Sequence, residues 1–230
     1  MTDQDKMTPA HHLRRLLDER WSCRAFTAQP VPTDVIEEML ATAQRTASWC
    51  NTQPWRLTLA SGEGTARFRR ALQQAAATLP AHSDIAFPPA YEGVHLARRR
   101  ESGFQLYDAM QIARGDRAAS TAQGLRNFDF FDAPHVLIVT TPKALGTYGA
   151  VDCGGWVATF LLAARAAGVA TIAQAALARH SDVVRAHFGI PDDQQVVCGI
   201  SFGYADMAHA ANSYRTSRAP LEEVVTWVRD

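Results

Sequence analysis

The chain has 230 residues, of which 47% are hydrophobic and 20% are charged, and its formal net charge at pH 7 is zero. This composition excludes a disordered chain and is typical of a globular protein of one large domain or two small ones. A balanced charge also gives no overall positive field, so we expect no nucleic-acid partner.

The N-terminal half of the sequence predicts helices around one strand. In chain order these elements are a helix over 10–20, a helix capped by Thr33, a strand from Trp55 and a helix over 63–79. Prolines then break the chain, and residues 80–126 read as one or two polar helices, which predicts a lid or surface excursion. Arg98, Arg99 and Arg100 in this segment form either a ligand-facing cluster or a solvated helix face.

The second half contains the most apolar segments. They are a buried strand over 135–141, a helix over 153–167, a short strand after Gly168, a helix capped by Ser181 that ends near Gly189, and a strand from Gln195. A polar tail follows from Ala208 and ends in an apolar stretch, LEEVVTWV. Interleaved helices and strands indicate an α/β or α+β class with one main sheet.

No segment resembles a signal peptide or a membrane span, and the sequence shows no metal-ligand spacing of histidines and cysteines. The four cysteines are scattered without a CxxC pair: Cys23, Cys50, Cys153 and Cys198. Free thiols in a reducing compartment are the simplest interpretation, with disulfides as the alternative. We therefore expect a cytoplasmic protein with no membrane partner and no metal.

The stretch Gly199-Ile200-Ser201-Phe202-Gly203 matches the G-x-S-x-G pattern of a hydrolase nucleophile. That pattern requires a helix directly after the serine, and an acid and a histidine on later elements. The polar tail after Gly203 does not predict such a helix, and its Asp206 and His209 sit too close together to form a separate acid–base pair. Glycines that let a strand bend are the better explanation.

The segment Arg20-Trp21-Ser22-Cys23-Arg24 places two guanidinium groups and a hydroxyl on one face if it is extended. Such a face is either a solvated basic patch or a phosphate site, and ion pairs to Asp18 or Glu19 are a further alternative. The sequence has no GxGxxG and no P-loop motif, so arginine side chains would have to hold a phosphate.

Three stretches taken together resemble the nitroreductase superfamily of FMN-dependent oxidoreductases. They are RWSCRAF at 20–26, ASWCNTQPW at 47–55 and RTSRAP at 215–220, with further similarity at 127–134, 152–154 and 199–204. The resemblance covers most of 13–60 and 127–225, and the texture of 80–126 is similar to a nitrobenzoate-reductase-like subgroup.

This resemblance implies an α+β fold in three layers, with a central mixed sheet flanked by helices. It implies a single FMN-binding domain over 1–230, in which 80–126 is a lid and 208–230 is a C-terminal arm. It also implies an intertwined homodimer with FMN at the interface.

The resemblance further implies three groups of cofactor-binding residues. The phosphate and ribityl end would be held by Arg20, Ser22, Arg24 and Arg218, with Trp21 and Cys23 in the same segment and Arg215 as a weaker candidate. The flavin would be lined by Ser48, Trp49, Cys50, Asn51 and Gln53, partly across the dimer interface. The flavin edge would be passed by Ala173, Gln174 and Ala175, where a backbone N–H faces the ring.

Some of these positions have alternative roles or depart from the family pattern. Asn51 and Gln53 could instead cap the preceding helix and the turn. Trp49 stands where the family commonly has glycine, and Ala47 where it usually has proline. Trp49 would either narrow the pocket and stack on an aromatic substrate or pack in the interface.

The implied activity needs no catalytic side chain, because the flavin carries the chemistry. NADPH or NADH would reduce FMN, and a nitroaromatic or related small aromatic acceptor would then be reduced in a ping-pong cycle. The alternatives are another FMN-dependent reduction, such as dehalogenation or enone reduction, flavin destruction, or a flavin-binding homodimer without turnover.

Overall fold

The computed structural model describes residues 8–229 and places a four-stranded sheet at the centre of the chain. The strands are β1 (Arg56–Ser61), β2 (His135–Pro142), β3 (Ala170–Gln174) and β4 (Gln194–Gly203), in the order β1-β2-β4-β3. All three pairs are antiparallel, and the parallel component of the expected mixed sheet is a single bridge between Ser22 and Thr171 beside β3. The predicted α+β class is confirmed.

Within residues 8–229, seven α-helices surround the sheet. They are α1 (Pro9–Glu19), α2 (Thr33–Ala43), α3 (Glu63–Thr78), α4 (Gly93–Ala109), α5 (Arg117–Leu125), α6 (Gly146–Ala166) and α7 (Ser181–Phe188). Within the described part of the chain, none of them is long and apolar enough to cross a membrane.

Three predicted helix starts are wrong in detail. Thr33 and Ser181 are the first helical residues, and the residues before them, Pro32 and His180, make no side-chain cap. The Ser181 hydroxyl instead donates to the carbonyl of Ala178. Helix α6 begins at Gly146, well before the predicted start at Cys153. The sequence pattern missed its first two turns because they are glycine-rich and polar and carry no apolar periodicity.

The central strands are covered on both faces, which explains their continuous apolar sequence. In β2, Leu137 and Val139 pack with α2 and α6 on one face of the sheet. Val136 and Ile138 pack on the other face with residues of α3, α7 and the segment Arg126–Asp132. The expected three-layer arrangement is therefore present.

The glycines of the G-x-S-x-G stretch serve close packing in β4, a different reason from the strand bend that we expected. A Cβ on Gly203 would lie 2.7 Å from Cδ of Pro134, and one on Gly199 would lie 2.4 Å from Cδ1 of Leu177. Ser201 is fully buried and donates its hydroxyl hydrogen to the side chain of Gln174. A fully buried serine whose hydroxyl donates to an amide oxygen, and not to a base, excludes the nucleophile interpretation.

The segment 80–126 contacts the C-terminal arm through α4. On α4, Arg98 pairs with Glu223 at 2.8 Å, and Glu101 accepts a hydrogen bond from Ser217 at 3.1 Å. Arg99 lies over the ring of Tyr91, so these arginines do not form one ligand-facing cluster. The apolar end of the arm is largely exposed in the single chain.

Candidate functional site

An open groove of about 270 Å³ collects the basic residues that the sequence singled out. Its polar lining comes from both ends of the chain: Arg20, Ser22, Arg24, Tyr214, Arg215 and Arg218. One carboxylate, Asp18, also lines it, and Ser102 of α4 closes one side. The structure thus brings together the five residues predicted to bind phosphate.

The sheet edge fixes the first basic segment. Ser22 forms the parallel bridge with Thr171, and the Cys23 backbone N–H donates to the Thr171 carbonyl at 3.0 Å. This extended pairing produces the alternation that turns Arg20, Ser22 and Arg24 to the groove.

Asn212 joins the C-terminal part of the groove to this segment. Its side-chain oxygen accepts from the Arg24 backbone N–H at 2.8 Å, and its amide nitrogen donates to the carbonyls of Ala25 and Asp206. The Asn212 side chain is buried with these partners satisfied. Sequence reasoning missed it, because a lone asparagine in a polar tail carries no pattern.

Tyr214 was also missed, and it holds the Arg24 side chain. Arg24 donates to the phenolic oxygen at 2.9 Å. Burial raises the pKa of Tyr214, although the charge of Arg24 opposes the shift, so the phenol keeps its hydrogen at neutral pH. That hydrogen remains available to a ligand in the groove.

The four groove arginines have no carboxylate partner among residues 8–229. Glu19 pairs with Arg165 at 2.7 Å and Asp18 lies 3.7 Å from Arg14, so the ion-pair alternative for Arg20 and Arg24 is wrong. Burial, and then the nearby charge of Arg218, lowers the pKa of Arg20. An anion in the groove would relieve this uncompensated positive charge.

Trp21 and Cys23 occupy opposite sides of the same segment. Trp21 walls the groove, with the Arg215 guanidinium 4.2 Å from its ring centre, and its indole N–H is a buried donor without a partner among the described residues. Cys23 is fully buried, and its thiol donates to the Ala25 carbonyl. Its side chain therefore belongs to the core and not to the groove, which corrects our expectation, and the same burial raises its pKa to about 11.

The third predicted stretch continues along the edge that Ser22 covers. Because the Thr171 carbonyl faces the Ser22 segment, the backbone of Ala173, two residues on, faces the same open edge. The exposed Ala175 follows directly after the strand. The Gln174 side chain is buried and bound to Ser201 and Asn127, so only its backbone can serve a ligand.

Residues 48–53 form a tight, exposed turn. Cys50, Asn51 and Gln53 all have positive φ angles near +50°, a conformation that costs energy in residues other than glycine. The turn is closed by the Gln53 backbone N–H, which donates to the Ser48 hydroxyl at 2.9 Å. The Gln53 side chain bonds to Gln44 at the end of α2 and to Asn51, so the turn-bracing role considered for these amides is present.

The turn and the groove lie at different ends of α6. The Trp49 backbone N–H donates to Asp152 in the first half of α6, whereas Arg165 near its C-terminal end reaches Glu19 and the Trp21 ring. At 1.5 Å per residue, about 20 Å of helix separates Asp152 from Arg165. The structure therefore does not bring residues 48–53 to the groove of their own chain.

Comparisons with known proteins agree with this architecture. The family model described as "Nitroreductase family" matches residues 17–204, so the basic residues of the arm lie beyond the match. The chain is 34% identical to nitroreductase NfnB of Mycolicibacterium smegmatis over 96% of this chain and 94% of that protein. It is 35% identical to a 4-nitrobenzoate reductase of Pseudomonas putida, over 86% of this chain and 88% of that one.

A solved structure has the same fold along nearly the whole chain. It is the FMN-dependent nitroreductase NfnB from Mycobacterium smegmatis in complex with NADPH, with a TM-score of 0.92 and 33% identity. The alignment covers 96% of this chain and all of that one.

Proposed function

The chain belongs to the nitroreductase family, and we propose that it is an FMN-dependent oxidoreductase that uses NADPH or NADH to reduce nitroaromatic or related electron-poor small molecules. The observation that carries the proposal is the groove, in which four arginines that pair with no carboxylate of the described chain surround Ser22 and Tyr214. The similarity to an FMN-dependent nitroreductase bound to NADPH supports the choice of cofactor and donor.

The groove fits the phosphate of FMN in both charge and donors. A phosphate monoester carries close to two negative charges and favours the planar forks of arginine. Arg24 and Arg218 would grip it, Arg20 would add charge from a half-buried position, and Ser22 and Tyr214 would donate hydroxyl hydrogens. Arg215, which donates to the Asn212 carbonyl and stacks on Trp21, would mainly wall the groove.

The edge of β3 would lie along the cofactor beyond the phosphate. Ser22 and Ala173 are neighbours along this edge, and the Ala173 and Ala175 side chains are too small to block it. Free backbone N–H groups there would face the flavin and favour its more negative, reduced form. Bound FMN would supply the redox chemistry, accepting hydride from the nicotinamide donor and passing electrons to the acceptor.

We propose that the protein is a homodimer in which residues 48–53 complete the site of the second copy. The turn is exposed and strained, and it cannot reach the groove of its own chain. The apolar end of the arm also lacks a covering surface: Leu221, Val224, Trp227 and Val228 are each more than 60% exposed. An interface of this kind usually buries more than about 2,000 Å².

The free thiols of the four cysteines support a cytosolic location. All four are free in the structure, and three of them are buried in the core.

The visible spectrum of the purified protein tests the proposal. We expect a yellow protein that releases FMN, and not FAD, on heating, bleaches with NADPH or NADH, and regains colour with nitrobenzene. A colourless protein that fails to take up added FMN would refute it. Retained FMN without oxidation of either nicotinamide donor would instead favour a flavin-binding protein without turnover.

The dimer is tested by analytical ultracentrifugation on dilution, followed at a flavin wavelength. If both chains hold each FMN, dissociation and flavin loss should occur together. A monomer that keeps its FMN and still turns over would remove the proposed role of residues 48–53.

A further inference from the structure

Two residues of α6, Asp152 and Tyr148, hold Trp49 in an exposed position. Its backbone N–H donates to both carboxylate oxygens of Asp152, each at 3.1 Å. Its ring centre lies 4.8 Å from that of Tyr148, with the planes tilted by 48°. Tyr148 and Asp152 are four residues apart on α6 and therefore lie on the same face of the helix. One helix face thus holds both the backbone and the ring of Trp49.

The turn itself adds rigidity to this support. Ser48 closes the turn by accepting from the Gln53 N–H, and Gln53 is bonded to α2 through Gln44. Despite these anchors, Trp49 is 60% exposed and Tyr148 is 62% exposed. Two large aromatic residues exposed side by side, next to a turn with a strained backbone, form a surface suited to contact with another molecule.

We propose that Trp49 is the aromatic face on which a planar, electron-poor aromatic acceptor stacks, with Asp152 as the positioning residue that fixes it. The inference rests on the proposed function, because residues 48–53 reach a flavin only in the second copy. An indole ring is electron-rich at its face, so a nitro-substituted ring is a matched stacking partner. Trp49 then determines specificity by selecting planar aromatic acceptors over aliphatic ones of similar size.

Binding to the oxidised, FMN-loaded protein tests the inference without turnover. The probes are nitrobenzene and nitrocyclohexane, which share the nitro group but differ in their rings, and dissociation constants are measured by titration calorimetry. For Trp49→Leu we expect nitrobenzene to bind roughly two- to tenfold more weakly, the usual range for an aromatic pair. The dissociation constant of nitrocyclohexane should change less than about twofold, since this ligand makes no stacking contact.

Trp49→Phe is the matched variant, because it keeps a ring whereas leucine only fills space. It should retain most of the nitrobenzene affinity. Equal weakening by leucine and phenylalanine, or equal weakening for both ligands, would overturn the stacking role. Conversion of the dimer to monomers by Trp49→Leu would show that Trp49 is an interface residue instead.

Asp152 is tested by a graded pair of substitutions. Asp152→Ala removes the acceptor of the Trp49 N–H and should weaken the binding of nitrobenzene but not that of nitrocyclohexane. Asp152→Asn keeps one side-chain oxygen as an acceptor and should retain most of the affinity for nitrobenzene. Asp34→Asn, an exposed position on α2, is the control and should have no effect. Absence of rescue by asparagine would remove the positioning role.

Failure of the two proposals can be told apart. If the wild-type protein takes up no FMN, the proposed function fails before any variant is made, and the inference about Trp49 falls with it. If the wild type is a flavin-loaded dimer that reduces nitrobenzene but the Trp49 variants behave alike, only the stacking role is wrong.

Discussion

The Arg24 guanidinium donates a hydrogen bond to the phenolic oxygen of Tyr214 at 2.9 Å, across 190 residues of sequence. This contact joins the first basic segment to the C-terminal arm, and Asn212 fixes the two backbones beside it. The groove is therefore a product of both chain ends, and its charge depends on neither end alone.

Replacing Arg24 by alanine should weaken FMN binding by roughly 1–3 kcal/mol, the usual scale for hydrogen bonds to a charged group. Arg218→Ala should behave in the same way, because both guanidinium groups line the groove and neither pairs with a carboxylate of residues 8–229. Arg99→Ala is the control and should leave the affinity nearly unchanged, since Arg99, on α4, lies over the ring of Tyr91 and does not line the groove. Flavin titration of the three variants measures this, and equal losses in all three would mean that the phosphate site is misplaced.

Removing only the Tyr214 hydroxyl should weaken FMN binding less than removing Arg24 does. Tyr214→Phe keeps the ring beside the guanidinium but loses the acceptor for Arg24 and the free donor into the groove. We expect a loss of about 0.5–1.5 kcal/mol in flavin titrations, as for a neutral hydrogen bond. An unchanged affinity would show that Arg24 needs no support from the arm.

Ser201→Ala should lower stability and spare activity. The substitution leaves the buried Gln174 side-chain oxygen without its Ser201 donor, which should cost about 1–3 kcal/mol in urea unfolding at fixed flavin concentration. Nitroreductase turnover should persist, because Ser201 is fully buried away from the groove. Complete loss of turnover with FMN content and fold intact would restore a catalytic role for this serine.

Gly203→Ala should destabilise the protein by about 1–3 kcal/mol, because the added methyl group would overlap the rigid ring of Pro134. Gly124→Ala is the matched control on α5, where an added Cβ would meet nothing within 4 Å. That variant should be neutral or more stable by roughly 0.5–1 kcal/mol, since alanine favours the helix. Urea unfolding of the pair compares them, and similar midpoints would contradict the packing explanation.

At pH 8, at most one thiol of the native protein should react quickly with Ellman's reagent. Burial raises the pKa of Cys23 and of Cys153 to about 11 and that of Cys198 to about 12, so these thiols stay protonated until far more alkaline pH. Cys50 is the exposed thiol and should account for the fast reaction. All four should react in denaturant, and a fast phase that survives in Cys50→Ser would show that a core cysteine is accessible.

By itself, the sequence limited the class to α/β or α+β and predicted the four strands, most helix bounds and the shared face of Arg20, Ser22 and Arg24. The choice of α+β and the addition of Arg215 and Arg218 to the candidate phosphate site came from the family resemblance. The pattern of apolar and polar residues within a segment indicates which of its side chains are buried. The continuous apolar run of β2 predicts a strand covered on both faces, and the alternation of Arg20, Ser22 and Arg24 predicts one polar face. These signals are local, so they can be read without knowing what lies opposite.

Only the tertiary structure decided which way single side chains face and which distant partners they meet. The Cys23 side chain faces the core, and the Gln174 side chain faces Ser201, because each forms its hydrogen bond inside the fold. Asn212 and Tyr214 gained their roles from a segment almost the whole chain away. A lone polar residue has no period, and its orientation follows from the requirement that buried polar groups be hydrogen-bonded, which only the assembled neighbours can satisfy.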